Sequence, residues 1–158
     1  MVLNRTFLLL TVFILSSCGG TSDSNKDDIA TIREFLSHAG EAVNSGNVEA
    51  EVQRFTEDGI YMWPGVSAIE GHDSLRAWFQ RRFSEFEVDL ESESLELQVF
   101  GDWAFERGRT VSKIRRRGSD EFQTVHGKYI NILGRQPEGS WLISRRIRNS
   151  DHPMVQLQ

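Results

Sequence analysis

Charged and polar side chains in the C-terminal third of the chain offer most of the chemistry in this sequence. His126 and Lys128 alternate along one segment, Glu106 and Arg146 lie in the segments on either side, and Asp151 follows the last segment. His126, Glu106 and Asp151 are candidate acid–base catalytic groups, because imidazole and carboxylate groups can exchange protons with a bound molecule. The alternatives are a strand histidine with a local hydrogen bond, and a glutamate that pairs with Lys128 or Arg146. Arg146 would favour an anionic ligand if it points inward.

Other motifs for catalysis or cofactor binding do not occur in this sequence. The histidines have no H-x-H or H-E-x-x-H spacing, and the single cysteine excludes a multi-cysteine metal site. There is no glycine-rich phosphate loop and no G-x-S-x-G nucleophile motif. The formal net charge of −5 disfavours general nucleic-acid binding. We therefore expect no metal, no cofactor and no nucleic-acid partner.

The segments that would position the candidate groups have the composition of β-strands. They are rich in β-branched and aromatic residues, are separated by turn formers, and comprise residues 103–115, 121–133 and 141–149. Residues 87–100 alternate acidic and apolar side chains, with Leu95, Leu97 and Val99 as the predicted inward set. A hairpin at Gly101-Asp102 would bring basic residues of the next strand opposite these acidic ones on a solvated face. The sequence predicts a curved antiparallel sheet.

Three amphipathic helices are predicted before this sheet and would cover one of its faces. The first spans residues 29–43, and the second is short and capped by Asn47. The third spans residues 73–86 and carries an aromatic stripe of a kind that more often packs in a core than binds a ligand. A short strand at residues 60–63 precedes it. Together these elements predict one domain of the α+β class.

The N-terminal residues predict export and lipid attachment. Arg5 precedes an apolar run at residues 7–15 that is too short to span a bilayer. The sequence Leu-Ser-Ser-Cys at 15–18 resembles the lipobox of bacterial lipoproteins, in which the cysteine is lipidated; an ordinary secretory leader is the alternative. We predict a signal peptide at 1–17, a lipidated Cys18 with a flexible tether at 18–28, a domain at 29–153 and a tail at 154–158. The protein would be held on a membrane of the bacterial cell envelope, facing the periplasm or the exterior.

Short motifs and single residues occur in a fixed order along residues 28–153. They are Asn44-Ser45-Gly46-Asn47, Phe55-Thr56-Glu57-Asp58-Gly59, Trp63-Pro64-Gly65, Gly71 before a helix, Gly101-Asp102-Trp103-Ala104, Gly108, Gly127-Lys128-Tyr129, and Trp141 followed by Asn149-Ser150-Asp151. Together they resemble the SnoaL-like (DUF4440-type) branch of the nuclear-transport-factor-2-like (NTF2-like) superfamily. The resemblance implies an NTF2-like, cystatin-like cone, in which three N-terminal helices pack on a strongly curved mixed or antiparallel sheet. It also implies a pocket between the helices and the sheet, and dimers that form through the open sheet face.

The resemblance also bears on the chemistry of this pocket, and the predicted strands and third helix supply the candidates for its lining. Steroid isomerases of the superfamily use an aspartate just before the proline that ends the short strand and a tyrosine on the first helix. Trp63 and Ala39 occupy those positions, and because neither can act as base or oxyanion donor, isomerase chemistry of that type is disfavoured. The predicted pocket residues are Tyr61, Trp63, Trp78, Phe79, Trp103, His126, Lys128 and Arg146. An error of one residue in a strand would move its members of this set to the opposite face.

Three functions remain open on the sequence alone. We favour a membrane-tethered, extracytoplasmic domain that binds a small, partly apolar molecule, which would be anionic if Arg146 lines the pocket. The second is a SnoaL-like isomerase, hydrolase or lyase that uses His126, Glu106 or Asp151 as acid–base groups. The third is a dimeric protein-interaction module, which an exposed apolar patch on the sheet would indicate.

Overall fold

A computed structural model describes residues 21–151 of the chain. Its elements in chain order are α1 (Thr21–Ser37), α2 (Glu41–Asn44), α3 (Val48–Val52), β1 (Phe55–Met62), β2 (Ile69–Glu70), α4 (Gly71–Glu85), β3 (Phe86–Phe100), β4 (Trp103–Arg116), β5 (Gln123–Arg135) and β6 (Trp141–Ser150). The predicted signal peptide, Cys18 and the predicted tail at 154–158 lie outside the described residues. Of the helices within them, none is long and apolar enough to cross a membrane.

The strands form a single mixed sheet in the order β2-β1-β6-β5-β4-β3. Strands β3 to β6 form the predicted antiparallel meander, with the hairpin at Gly101-Asp102. Strand β1 pairs in parallel with β6 and antiparallel with β2. The predicted α+β class, with helices packed on a curved sheet, is confirmed. The short strand predicted at residues 60–63 is longer in the structure and spans Phe55–Met62, with a shift in its pairing register to β6 between Phe55 and Ile60.

Two groups of buried side chains attach the helices to one face of the sheet. In the first, Val52 of α3, Phe55 of β1 and Leu75 of α4 pack with Ile143 of β6. In the second, Ile32 of α1 is fully buried, and its group is completed by Ala104, Leu133 and Trp141. Because burying apolar surface is the main favourable term in folding, these contacts fix the helices over the concave face.

The opposite charges of β3 and β4 pair across the hairpin as predicted. Ion pairs join Arg107 to Glu96 and Arg109 to Glu93, each with a nitrogen–oxygen distance of 2.5 Å. Further pairs along the same two strands are Arg115–Glu87 and Lys113–Asp89, and Arg117, the residue after β4, also pairs with Glu87. Exposed pairs of this kind each contribute little to stability, because solvent screens their charges. The basic cluster is therefore mostly neutralised within the sheet.

The predicted inward set of β3 is wrong at Leu95, which is 47% exposed. The pairing of β3 with β4 shifts register between Ser94 and Glu96, so Leu95 lies in a β-bulge. Leu90 is buried, and Leu97 and Val99 pack against the second core group. Because Leu90 and Leu97 are an odd number of residues apart, both can face the core only if one extra residue is inserted between them.

Helix α1 begins at Thr21, so the predicted flexible tether at 18–28 is wrong from residue 21 onward. Asp28 anchors this part of the helix, because its carboxylate accepts hydrogen bonds at 2.6 and 2.5 Å from the guanidinium of Arg135 in β5. The first predicted helix also ends earlier than expected, at Ser37, and residues 38–40 form a turn before α2.

Two asparagines fix the short helices that follow α1. Asn44, the last residue of α2, bonds to both backbone groups of Leu90 in edge strand β3: its Oδ1 accepts from Leu90 N at 2.7 Å and its Nδ2 donates to Leu90 O at 3.2 Å. Asn47 is the predicted cap of α3, and its Oδ1 accepts a hydrogen bond from Ala50 N at 3.0 Å.

Candidate functional site

A small cavity of about 30 Å³ lies between α1 and the concave face of the sheet. Its apolar side is formed by Leu36, Ala39 and Leu90. Its polar side comes from β3 to β6 and comprises Ser92, Thr110, Tyr129, Asn131, Arg146 and Arg148. A volume of this size holds about one or two water molecules. The cavity therefore combines one apolar wall with one wall rich in hydrogen-bonding groups.

Beneath the polar wall, the carboxylate of Glu106 is completely buried, with 0% exposure. The hydroxyl of Tyr129 donates to its Oε1 at 2.6 Å, and Nδ2 of Asn131 donates to its Oε2 at 2.6 Å. Burial and the neighbouring Glu106 carboxylate both raise the pKa of the Tyr129 hydroxyl, which therefore stays protonated as the donor. Each carboxylate oxygen thus already accepts one hydrogen bond from the protein.

Arg146 extends this network across to the helices. Its Nε donates to Oδ1 of Asn131 at 3.0 Å, and its Nη1 donates to Oε1 of Glu51 at 2.7 Å. Glu51 is 1% exposed and lies in α3. Arg54, also buried, approaches the same carboxylate at 3.8 Å, and burial lowers the pKa of its guanidinium. Two buried cations therefore balance two buried carboxylates within this network, counting Glu106.

Strand alternation and one glycine place Tyr129 in the network. Residues 127, 129, 131 and 133 of β5 face inward, and Tyr129 is paired with Gly108 of β4. A Cβ atom at Gly108 would collide with the Tyr129 hydroxyl and with the backbone oxygen of Glu93. Glycine is required there because the tyrosine ring crosses this position to reach Glu106.

The aromatic residues of β1 and α4 that we predict as pocket lining mostly form core. Tyr61 and Phe79 are buried and stack on each other with ring centres 5.8 Å apart. Trp63 and Trp78 are half-buried and pack against that core group, with ring centres 6.1 Å apart. None of the four lines the small cavity. Trp63 nevertheless lies near it, because the guanidinium of Arg148, which does line the cavity, is 5.6 Å from the centre of its indole ring.

Four other predicted site residues lie on the outer face of the sheet, and their assignment to the pocket is wrong. Trp103 is 53% exposed. His126 and Lys128 are exposed because they alternate with the inward-facing Gly127 and Tyr129. Asp151 is also exposed and pairs with Lys128 at 2.5 Å, away from the cavity. The assumed strand face is therefore off by one residue in β5, which removes His126 and Asp151 as catalytic candidates at this cavity.

Glu106 and Arg146 are the predicted site residues that face inward and meet in one network. Arg146 points toward the cavity as required, but Glu51 neutralises it, so it does not by itself favour an anionic ligand. Tyr129, Asn131 and Glu51 are network residues that our sequence analysis does not identify. The sequence signal for Tyr129 and Asn131 is the alternation of β5. Asn131 lies between Ile130 and Ile132, so the two isoleucines are on the face opposite to Tyr129 and Asn131.

Within residues 21–151, no group of three or more histidine, cysteine, aspartate or glutamate side chains is arranged to hold a metal ion. The carboxylates closest to the cavity, Glu51 and Glu106, are instead engaged by arginine, tyrosine and asparagine side chains. The arrangement can bind and orient a small molecule through Tyr129, Asn131 and the arginines, while Leu36, Ala39 and Leu90 contact its apolar part.

Solved structures share this fold at low sequence identity. A ketosteroid isomerase-like protein from Erwinia carotovora atroseptica is 24% identical, with a TM-score of 0.71 over 84% of this chain and 99% of that chain. A putative scytalone dehydratase from Novosphingobium aromaticivorans is 13% identical, with a TM-score of 0.77 over 87% and 94% of the two chains. An NTF2-like protein with a cystatin-like fold from the same organism is 23% identical, with a TM-score of 0.68 over 89% and 94%.

These similarities confirm the predicted NTF2-like, cystatin-like fold. Among curated proteins, none gives a significant match. Residues 25–147, which contain every element from α2 to β5, most of α1 and most of β6, match the family described as the SnoaL-like domain. The chain therefore belongs to the SnoaL-like domain family.

Proposed function

We propose that this domain binds a small, partly apolar molecule in the cavity between α1 and the sheet, without transforming it. The observation that carries the proposal is the two-sided lining: Leu36, Ala39 and Leu90 face Tyr129 and Asn131 across the same space. Concave sites that combine apolar lining with fixed polar groups are typical of small-molecule binding, although polar residues outnumber apolar ones in this cavity. The cavity is small, so a ligand of several heavy atoms would displace the turn at residues 38–40 or extend toward Trp63.

The polar groups at the cavity are better arranged for binding than for proton transfer. Both oxygens of Glu106 already accept hydrogen bonds, and Tyr129 donates its single hydroxyl proton to one of them. The positions that hold the base and the oxyanion donor in related steroid isomerases are Trp63 and Ala39. A general base must reach the proton it removes, and an occupied, fully buried carboxylate is poorly placed to do so.

The proposed binding function can be tested by a substitution that fills the cavity with a larger side chain. Ala39→Phe would place a ring in the space, whereas Ala30→Phe makes the same change at an exposed position of α1. Mass spectrometry of small molecules that co-purify with the protein should detect a compound in the wild type and in Ala30→Phe. We expect Ala39→Phe to lose it. Retention of the same compound by Ala39→Phe at wild-type stoichiometry would place the binding site elsewhere.

We also propose that the domain works outside the cytoplasm on a lipid anchor at Cys18. The support is the sequence pattern of an apolar run followed by Leu-Ser-Ser-Cys. Cys18→Ser should move the protein from the membrane fraction to the soluble fraction, because the acyl chains are lost. A Cys18→Ser protein that remains in the membrane fraction after a high-salt wash would contradict the anchor.

A second candidate function is a dimeric interaction module, and the outer face of the sheet favours it. Trp103, Ile130, Ile132 and Ile147 are exposed apolar residues on the adjacent strands β4, β5 and β6. Contiguous apolar surface of this kind often marks a protein interface. Ile147→Glu should lower the molar mass measured by light scattering if this face joins two copies. Val66→Glu is the matched control, because Val66 is equally exposed but lies outside the sheet.

A further inference from the structure

Two arginines without a carboxylate partner lie beside Trp63. The guanidinium carbon of Arg82 in α4 is 5.4 Å from the centre of the Trp63 indole ring, and that of Arg148 in β6 is 5.6 Å from it. Arg82 also lies 4.5 Å from the ring centre of Phe86. Among residues 25–151, neither arginine forms an ion pair with an aspartate or glutamate. The indole is therefore next to two positive charges that have no ion-pair partner among these residues, although the carboxylate of Glu85 acts on Arg82 at longer range.

This pair differs from the other arginines near the helices and the cavity. Arg146, two residues before Arg148 in β6, is paired with Glu51, and Arg135 of β5 is paired with Asp28. Arg82 and Arg148 instead contact aromatic rings, which attract a cation less strongly than a carboxylate does. An unbalanced pair of guanidiniums is a common arrangement for recognising carboxylate groups, because each offers a planar fork of donors.

The electrostatic environment of Arg82 agrees with this reading. Partial burial is the main cause that lowers the pKa of its guanidinium, and the positive charge of Arg148 also lowers it, whereas Tyr61 and Glu85 oppose this shift. Arg148 also acts on Tyr61, where it opposes the burial that raises the pKa of the hydroxyl. The two cations thus destabilise each other in a partly desolvated region. A bound anion would relieve both effects at once.

The arginine pair is connected to the cavity. Arg148 lines the cavity together with Leu36, Ala39 and Leu90, and it also faces Trp63. Trp63, Arg82 and Arg148 are each half-buried, so a polar head group can reach them from solvent. A molecule bound with its head group at the arginines would direct its other end to the apolar wall.

We propose that the ligand of this domain is an organic carboxylate whose head group binds Arg82 and Arg148 beside Trp63, with its apolar body entering the adjoining cavity as the turn at residues 38–40 is displaced. This inference rests on the proposed binding function and adds the chemical class of the ligand. It assigns the charge recognition to Arg82 and Arg148 and not to Arg146, which its partner Glu51 already satisfies.

Benzoate and benzamide are suitable probes, because they share a ring and differ in charge. Calorimetric titration of the full chain should show benzoate binding about tenfold more tightly than benzamide, as expected for hydrogen bonds to a charged group. Arg148→Met and Arg82→Met should each remove most of this preference, while Arg148→Lys should keep part of it. Arg81→Met is the matched control, because Arg81 lies next to Arg82 in α4 but is exposed and faces Trp78. Thermal unfolding of each variant verifies that it is folded.

The outcomes separate the ligand class from the binding function. Equal affinity of the wild type for both probes, or loss of benzoate binding in Arg81→Met, would refute the carboxylate assignment and leave the cavity as a binding site. If the wild type binds neither probe, the carboxylate assignment is also overturned. The co-purification experiment tests independently whether the cavity binds a small molecule. If Ala39→Phe leaves benzoate binding intact and Arg148→Met abolishes it, the arginine pair stands and the cavity proposal fails.

Discussion

Replacing Arg146 tests whether the buried network is held by charge balance. In Arg146→Met the carboxylate of Glu51, which is 1% exposed, would keep only Arg54 at 3.8 Å, and Asn131 would lose a donor. Removing one partner of a buried ion pair is strongly destabilising because the remaining charge is left without compensation. We expect the free energy of unfolding to fall by about 3 kcal/mol. For a domain of about 130 residues, this corresponds to a decrease in Tm of roughly 10 °C.

A double-mutant cycle separates the charge effect from the loss of packing. Glu51→Gln together with Arg146→Met removes both charges, so the double variant should be more stable than Arg146→Met, with a coupling free energy of about 2 kcal/mol. Urea unfolding followed by tryptophan fluorescence gives the free energies, provided that the slope with denaturant is unchanged between variants.

Arg145→Met is the matched control for this cycle. Arg145 is adjacent in β6, is half-buried and approaches the exposed Asp58 at 3.5 Å, so its removal should cost less than about 1 kcal/mol. The reasoning would be refuted if Arg146→Met cost no more than Arg145→Met. It would also fail if the two single changes were additive in the double variant, because a charge-balanced pair must show coupling.

Two further changes test contacts that position the site. Asp28→Asn should lower Tm at pH 7 and should have no effect at a pH well below 3.8, the ordinary pKa of the carboxyl group. Arg135 lowers the pKa of Asp28 in the folded state. The stabilisation by this ion pair is therefore complete above pH 3.8 and is lost as the pH falls through the lowered pKa. A difference between wild type and Asp28→Asn that persists unchanged in acid would contradict the ion pair. Gly108→Ala should destabilise the domain by about 2 kcal/mol in urea unfolding, because a methyl group would meet Tyr129 and the Glu93 backbone. Gly134→Ala, another strand glycine with space around it, should be close to neutral.

Most secondary-structure elements could be predicted because each has a strong local signal. Asn47 caps α3 through its side chain, and the turn-forming residues Gly101-Asp102 mark the β3–β4 hairpin. The start of α1 could not be predicted in the same way. Its first turns are polar, and the ion pair that joins this half of the helix to the sheet links Asp28 to Arg135, which is more than 100 residues away in sequence. A contact of this range leaves no pattern in the local sequence.

The candidate site was only partly predictable, because strand faces depend on tertiary packing. Glu106 and Arg146 face inward in the structure, but β5 presents Tyr129 and Asn131 inward and His126 and Lys128 outward. Ile130 and Ile132 make the outer face of this strand look like a core face. A buried polar network combined with an exposed apolar face reverses the usual rule that apolar residues point inward, so alternation alone chooses the wrong side.

The contact between Asn44 and Leu90 also bears on how the protein avoids aggregation. Strand β3 is at the end of the sheet, so its outer N–H and C=O groups could pair with a strand from another molecule. The Asn44 amide occupies both groups of Leu90, as a neighbouring peptide bond would. Sheet extension by a foreign chain is therefore blocked at this point of the strand. Asn44→Ala would open it to edge-to-edge association without changing the core.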